Sequence, residues 1–346
     1  MPLFQPAQLV EISERILTAA GAPLEVARLV SASLIESNLV GHDSHGVIRI
    51  PSYVRMVKEG KVDPLAQPAI LKETETMALV DGKWAFGQVS CQYTTRVVIQ
   101  KAKGAGMAAA GIVRCNHSGR LGEYSLMVAR EGLIGVVMVR GVQRPGAMAP
   151  HGGSARVFGT NPISFAIPAG ELPPVLVDFA TAAVASGKID VARAKGASLP
   201  SGSILDKAGH PSVNPQDFYD GGILLPAGGH KGYGLALVAD LLAGQLMSAE
   251  VYEGNRSTQG TFIMAIDIEP FRPRREFGEA VDQRLKAIKS IPPAAGFSEV
   301  LIPGEPENRA AAERRRNGID VPQATWKKLL DTASELGVDL PGPPAG

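Results

Sequence analysis

Between Pro68 and Arg274 the chain strings together short apolar runs, each bounded by glycine or proline: AILKETETMALVDG, MAAAGIVR, LIGVVMVR, ISFAIPA, PVLVDF, GILLPA and TFIMAIDI. Runs of this length between turn-forming residues read as strands. So many of them commit this part of the chain to a sheet. Helical stretches intervene at QVSCQYTTRVVIQKAKG, Gly122 to Arg130, Thr181 to Lys195 and Lys231 to Met247. Residues 69–273 are therefore expected to form a mixed α/β domain.

The flanks have a different texture. Leu9, Val10, Ile12, Ile16 and Leu17 recur at helical spacing until GAP, Gly21 to Pro23, breaks the run. Pro23 suits the first turn of a second helix carrying Val26, Leu29, Val30, Leu34 and Ile35, which should end near Gly41. A third short helix is predicted from Pro51 to Gly60. After Arg274 the chain reads as helical again, and the last residues, LPGPPAG, read as frayed. Residues 1–68 are expected to pack with 274–346 as one helical unit. A chain of 346 residues is long enough for two domains.

Composition removes several function classes. A net charge of +1 advertises neither nucleic acid nor an anionic membrane as partner. The basic run RAAAERRR from Arg309 is broken by Glu313 and reads as a solvated helix face. No apolar run approaches the ~18 residues of a membrane span. The start, MPLFQPAQLVEISER, lacks the basic and apolar pattern of a secretory signal. Cys91 and Cys115 cannot build a disulfide framework. Together these suggest a reducing, cytoplasmic setting.

No phosphate loop is clear. GAGMAAAG, from Gly104 to Gly111, has Ala109 where G-x-G-x-x-G needs its third glycine, and it closes a helix instead of opening one. A Rossmann site is not expected there. GGHKGYG, from Gly228 to Gly234, is no Walker loop, since no Ser or Thr follows Lys231. Free backbone N–H groups and an ammonium at a helix entry suit an anion, but a structural turn explains them equally.

Two of the six histidines fall in GHDSHGVIRIPSY, Gly41 to Tyr53. His42, Asp43 and His45 could be metal ligands. Gly41 and Gly46 argue for a tight turn instead, no third ligand stands at a defined spacing, and no metal is expected. Proton transfer fits better. Histidine titrates near neutrality, and Arg49 offers a planar fork for a carboxylate. A second cluster, CNHSGRLGEY, carries His117, Ser118, Arg120 and Tyr124 at a strand-to-helix junction. Either histidine could simply tie down a turn. Two polar, glycine-flanked histidine loops in one chain point to a site.

The stretches GHDSHGVIRIPSYV, NHSGRLGEY, FGTNPISFAIP, VDFATAAVASGKI, LPAGGHKGYGLAL and PGEPENRAAAERRRNGI occur in the order seen in the malate/L-lactate dehydrogenase family. The resemblance spans about Leu9 to Leu336. VGHDSHGVIRIPSYV, AFGQV and HSGRLG most resemble the bacterial hydroxycarboxylate dehydrogenase B type. It implies a non-Rossmann α/β fold, with NAD or NADP bound across a large, mostly antiparallel sheet and the active site near a homodimer interface. It implies hydride transfer at C2 of a small 2-hydroxy or 2-oxo acid, with cyclic imino-acid reduction or ureidoglycolate or sulfolactate oxidation as the alternative. By the same resemblance His45, with Ser44, and His117 are catalytic. Arg49, Tyr53 and Thr160 contact substrate. Gly141, Asp178, Phe179, Ala180, Lys231, Gly304, Glu305 and Pro306 contact the cofactor. Two departures bear on the substrate: Ser118 stands where many relatives have an apolar residue, and His151 precedes GG where phenylalanine is more usual.

Overall fold

A computed structural model of the chain describes residues 2–141, 146–248 and 252–342. The end of the stretch expected to fray, residues 343–346, lies outside the described residues. The strand-like runs gather into one seven-stranded sheet. Its strands are β1 (Ala69–Glu73), β2 (Met77–Asp81), β3 (Met107–Val113), β4 (Leu133–Arg140), β5 (Ile163–Ile167), β6 (Val175–Phe179) and β7 (Gly260–Asp267). Their spatial order is β1-β2-β3-β7-β4-β5-β6. Only β2 and β3 run parallel; every other neighbouring pair is antiparallel. GILLPA contributes only a two-residue strand, Ile223–Leu224, to a separate three-stranded sheet.

The helices are α1 (Pro6–Ala19), α2 (Leu24–Leu39), α3 (Ile50–Lys58), α4 (Gly87–Ala105), α5 (Gly122–Arg130), α6 (Ser186–Lys195), α7 (Pro215–Tyr219), α8 (His230–Ala243), α9 (Arg274–Lys289), α10 (Glu305–Asn317) and α11 (Gln323–Glu335). The stretch expected to be helical from Thr181 begins helix only at Ser186, because Thr181 is tied through its N–H and hydroxyl to the Thr160 carbonyl and Ala182 bridges to Pro226. Helices α4 and α5 cover one face of the sheet. Ala108, Ala110 and Ile112 of β3 pack there with Val98 and Ile99 of α4. Successive side chains on a strand alternate faces, so Gly111 points the other way, and Met247 after α8 fills the space that a Cβ there would take.

One apolar core joins the two ends of the chain. Leu9, Ile16 and Leu34 share it with Ala311, Trp326 and Leu329, and Leu3–Phe4 pairs with Ile319–Asp320. Helix α9 instead packs on the β5–β6 turn. Asp282 accepts from the N–H groups of Gly170 and Glu171. A Cβ on Gly278 would come within 3.0 Å of the Gly170 backbone.

Candidate active site

The turn Asp43–His45 leaves the end of α2 under tight control. Asn38 is buried and serves both of its sides: Oδ1 accepts from the Val47 N–H at 2.9 Å, and Nδ2 donates to Asp43 Oδ1 at 2.7 Å. A Cβ on Gly46 would lie 2.1 Å from Asn38 Oδ1, so this turn needs a glycine there. Arg314 of α10 donates to both Asp43 oxygens, at 2.7 and 3.0 Å, and to the Asn38 carbonyl. His42 lies 3.4 Å from Glu307 on the same helix. The groups weighed as metal ligands are thus engaged with separate partners. No cluster of three or more His, Cys, Asp or Glu suited to a metal exists among the described residues.

The second histidine comes from the loop between β3 and α5. Gly87 opens α4 so close to this loop that a Cβ would sit 2.3 Å from the His117 carbonyl oxygen. Asn116 fixes the loop by donating to the carbonyls of Trp84 and Ala85 at 2.8 and 2.9 Å. The two turns bring His45 and His117 together, ring centroids 5.6 Å apart and planes 18° from parallel. Tyr53 Oη is 2.8 Å from His117 Nδ1 and accepts from Gln88 Nε2 at 2.9 Å. With Gln88 donating, the phenol gives its own proton to Nδ1, so the neutral His117 ring carries its proton on Nε2. Tyr53, expected to contact substrate, thereby has its hydroxyl committed to His117. Gln88 stands inside the AFGQV motif, but sequence spacing carries no signal that it supports a histidine from another turn.

Ser44 Oγ lies 2.9 Å from His45 Nδ1. Arg49 Nε donates to the Ser44 carbonyl at 2.6 Å. That bond orients the guanidinium, and its two terminal nitrogens have no hydrogen-bond partner among the described residues. Burial pushes the His45 ring down to about 3, with the charges of Arg49, His42 and Arg120 acting in the same direction. His117 is also held well below its ordinary value by burial, then by Arg49 and His45. Both rings are neutral at pH 7.

The residues expected at the cofactor lie next to this pair and beyond it. Asp178, on β6, accepts from the Gly122 N–H at the start of α5 at 2.7 Å. Burial raises its carboxyl, with Arg120 opposing. It hydrogen-bonds neither histidine. Leu176 donates to the Pro303 carbonyl at 3.1 Å, which brings β6 against Gly304. Gly304 has φ +97°, and a Cβ there would lie 3.1 Å from Leu176 Cβ. The Glu305 carboxylate is taken by Lys289 and the Ile302 N–H, all at 2.8 Å, so that side chain holds the turn; Pro306 follows it in the first turn of α10. Phe179 is exposed, and Ala180 links it to Thr181, whose N–H and hydroxyl both donate to the Thr160 carbonyl at 2.9 Å. Gly141 touches Gly159 beside Thr160, closely enough that a Cβ on Gly159 would lie 2.8 Å from the Gly141 Cα. Thr181 in turn accepts from Ala227 at 2.8 Å, which leads to the start of α8. There Gly228 and Gly229 take φ of +60° and +65°, and Lys231 stands exposed. A cavity of about 630 Å³ opens beside them, lined in part by His151, Ser154 and Ser201. His151 meets His230 edge-on at 6.0 Å, so this departure from the family pattern sits at the lysine end of the site.

A model of the malate/L-lactate dehydrogenase family matches residues 4–330. The chain belongs to this family. It is 36% identical to a malate/(S)-sulfolactate dehydrogenase of Methanothermus fervidus, over 98% of this chain and 99% of that one. It is 32% identical to hydroxycarboxylate dehydrogenase B of Escherichia coli O157:H7, over 97% of this chain and 94% of that one. Among solved structures, malate dehydrogenase of Entamoeba histolytica superposes with a TM-score of 0.93 at 28% identity, covering 98% of this chain and 99% of that one. As a member of the malate/L-lactate dehydrogenase family the chain is an oxidoreductase of the hydroxycarboxylate dehydrogenase type. Its mostly antiparallel sheet accounts for the missing G-x-G-x-x-G, which serves a parallel β-α-β unit.

Proposed function

We propose that this chain moves a hydride between C2 of a small 2-hydroxy or 2-oxo carboxylate and NAD(H) or NADP(H), as a cytoplasmic homodimer. One observation carries the reading: two stacked neutral histidines lie beside an arginine whose terminal nitrogens have no hydrogen-bond partner among the described residues. The segments around Asp178, Gly304 and Lys231 fit a dinucleotide, since Lys231 sets an exposed ammonium, with no ion-pair partner among the described residues, in the first turn of α8. The nicotinamide, when bound, accepts or supplies the hydride. The two buried cysteines are free thiols, which suits a reducing compartment. No helix of the described residues is long and apolar enough to cross a membrane. Leu235, Val238, Leu241 and Leu246 form an exposed apolar stripe along and just beyond α8, which suits a second copy of the chain.

Arg49 takes the substrate carboxylate in its fork and fixes C2 relative to the histidines. His117, protonated on Nε2 because Tyr53 holds Nδ1, donates a hydrogen bond to the reacting oxygen and polarises it. His45 carries the proton. In the oxidative direction its neutral ring accepts the hydroxyl proton while Ser44 accepts from Nδ1. The carboxylate that neutralises Arg49 also removes one of the charges holding His45 down, so the ring becomes easier to protonate once substrate is bound. The test is NADH and NADPH oxidation against pyruvate, oxaloacetate, phenylpyruvates and cyclic imines. Turnover of 2-oxo acids is expected. A protein that reduces none of them, or only the imines, would overturn the carbonyl reading.

A further inference from the structure

The loop that carries His117 hangs on the chain just before β7. The β3–β7 pairing, in register as far as Ile112 opposite Thr261, continues past the sheet. The Cys115 N–H donates to Thr258 Oγ1 at 3.0 Å, and the Gln259 N–H donates to the Cys115 carbonyl at 2.7 Å. Gln259 reaches further with its side chain, whose Nε2 donates to Ser118 Oγ at 2.9 Å. Ser118 is 1% exposed, and its carbonyl accepts from the Tyr124 hydroxyl. The same stretch of chain holds the end of α3. Asn255 donates to the Glu59 carbonyl at 3.0 Å and Arg256 to the Gly60 carbonyl at 2.6 Å. Residues 255–259 therefore grip both segments whose side chains meet in the Tyr53–His117 hydrogen bond.

What Ser118 does for His117 follows from its neighbours. Asn116 anchors the loop on one side of the histidine, through the Trp84 and Ala85 carbonyls. On the other side the chain passes through Gly119, at φ +76°. Glycine is the softest pivot a backbone offers, so the residue between it and the histidine must be held by its contacts. The Tyr124 hydroxyl holds the Ser118 backbone, and Gln259 holds its side chain. We propose that Gln259 is a positioning residue for proton transfer: through Ser118 it keeps the His117 ring against Tyr53 and at the angle that meets the reacting oxygen. This rests on the dehydrogenase reading above and adds a residue far from the histidine loops in sequence. If the bond only satisfied two polar groups, an apolar pair of similar size would serve as well.

The test compares Gln259→Met, which keeps the length but not the donor, Ser118→Ala, which loses one oxygen atom, and the double variant. Each single change strands a polar partner and should lower the urea midpoint; the double change should recover most of that loss. The rate should not recover. In all three variants kcat for 2-oxo acids should fall about 5-fold, the rate equivalent of one net hydrogen bond, with KM changing less. The limb of the pH–rate profile that reports His117 should move up toward the ordinary histidine value, as the loosened ring meets water. A double variant whose kcat returns to wild type along with its stability would overturn the proposal, because the pair would then only fill space. So would single losses that multiply in the double variant, because the two residues would then act separately. Should Gln259→Met fail to fold, Ser118→Ala decides alone: a wild-type kcat and pH profile would overturn the proposal. If wild type reduced no 2-oxo acid, the dehydrogenase reading would fall, while nitrogen NMR of the His117 ring would still decide for Gln259. One tautomer is expected in wild type and a mixture in Gln259→Met; an unchanged ring signal would break the link.

Discussion

Replacing Tyr53 by phenylalanine tests the arrangement of the histidine pair with the loss of one oxygen atom. The ring is 3% exposed and packs near Phe86, centroids 5.9 Å apart, so phenylalanine keeps the packing. Two hydrogen bonds disappear, from Gln88 at 2.9 Å and to His117 Nδ1 at 2.8 Å. Gln88 Nε2 is left without its acceptor. His117 Nδ1 keeps only the Gly119 N–H at 3.4 Å, too long to replace the phenol. A net hydrogen bond is worth about 1 kcal/mol and an orphaned buried group costs about 1–3 kcal/mol. The urea midpoint should therefore move by the equivalent of about 1–3 kcal/mol.

The catalytic effect is separate. Without Tyr53 Oη, the proton of His117 is free to move to Nδ1, and the ring then presents a lone pair where it should present an N–H. A loss of about 1–2 kcal/mol in the transition state lowers kcat about 5- to 30-fold. KM should change less, because Arg49 still holds the carboxylate. The limb of the pH–rate profile that reports His117 should also shift. Urea melts with steady-state kinetics across pH read all three. A folded Tyr53→Phe protein with wild-type kcat and pH profile would refute the tautomer argument, even if its stability fell as expected.

His45→Asn should fold, bind cofactor and lose on the order of 10²-fold or more in kcat, checked by single-turnover kinetics; a wild-type rate would reduce His45 to a turn residue. Arg49→Lys keeps the charge but not the fork, and should raise KM for 2-oxo acids with some loss of kcat from misplacement, read from initial rates. Lys231→Met should weaken NADH or NADPH binding, by fluorescence titration, more than it slows the chemical step. The pH dependence of stability follows from the lowered histidines. Below the ordinary value of 6.5 the unfolded chain takes up protons that folded His45 refuses until about pH 3, so stability falls as pH falls through that window. His45 contributes at most about 1.4 kcal/mol per pH unit there, and His117 acts with the same sign. Burial raises Glu123 and Asp178, which act with the opposite sign. The difference in pH dependence between wild type and His45→Asn, by urea melts from pH 7 to 4, isolates the one histidine.

The elements were readable where one physical signal dominated. Leu133–Arg140 is a strand with the bounds its glycine-limited apolar run suggests, and Gly122–Arg130 is likewise a helix with the bounds its pattern suggests. GILLPA failed as a strand of the large sheet, since its apolar content serves a local cluster with Met148 and Phe158 instead. The two histidines and Arg49 stood out as a candidate site because one chain carries two polar, glycine-flanked histidine loops, and the fold brings the two rings together. What holds them was not legible. Asn38 sits in the apolar pattern of α2, Arg314 in a basic run that reads as a solvated face, and Gln88 at the opening of an ordinary helix. Each acts on a partner between 5 and 276 positions away, across contacts that only the fold creates.

The run containing Arg314 therefore carries more than solubility. Helix α10 begins at Gly304 and Glu305, in the segment expected to meet the cofactor, and reaches the His45 turn within its first three turns. Glu307 faces His42, and Arg314 grips Asp43 and the Asn38 carbonyl. Asn38 in turn holds the N–H of Val47, two residues past His45. A helix is stiff along its axis, so movement at its Gly304 end must either be absorbed at the turn of positive φ that starts it or be passed to Asp43. The Lys289–Glu305 pair and the Glu305 contact to the Ile302 N–H resist the first route by fixing that turn. On the proposed reading, a dinucleotide seated against Gly304 would act on the same helix that grips Asp43, two residues before His45. Cofactor binding and proton transfer would then share one rigid element, which would account for the tie between this turn in the first fifty residues and a helix some 270 residues further along the chain.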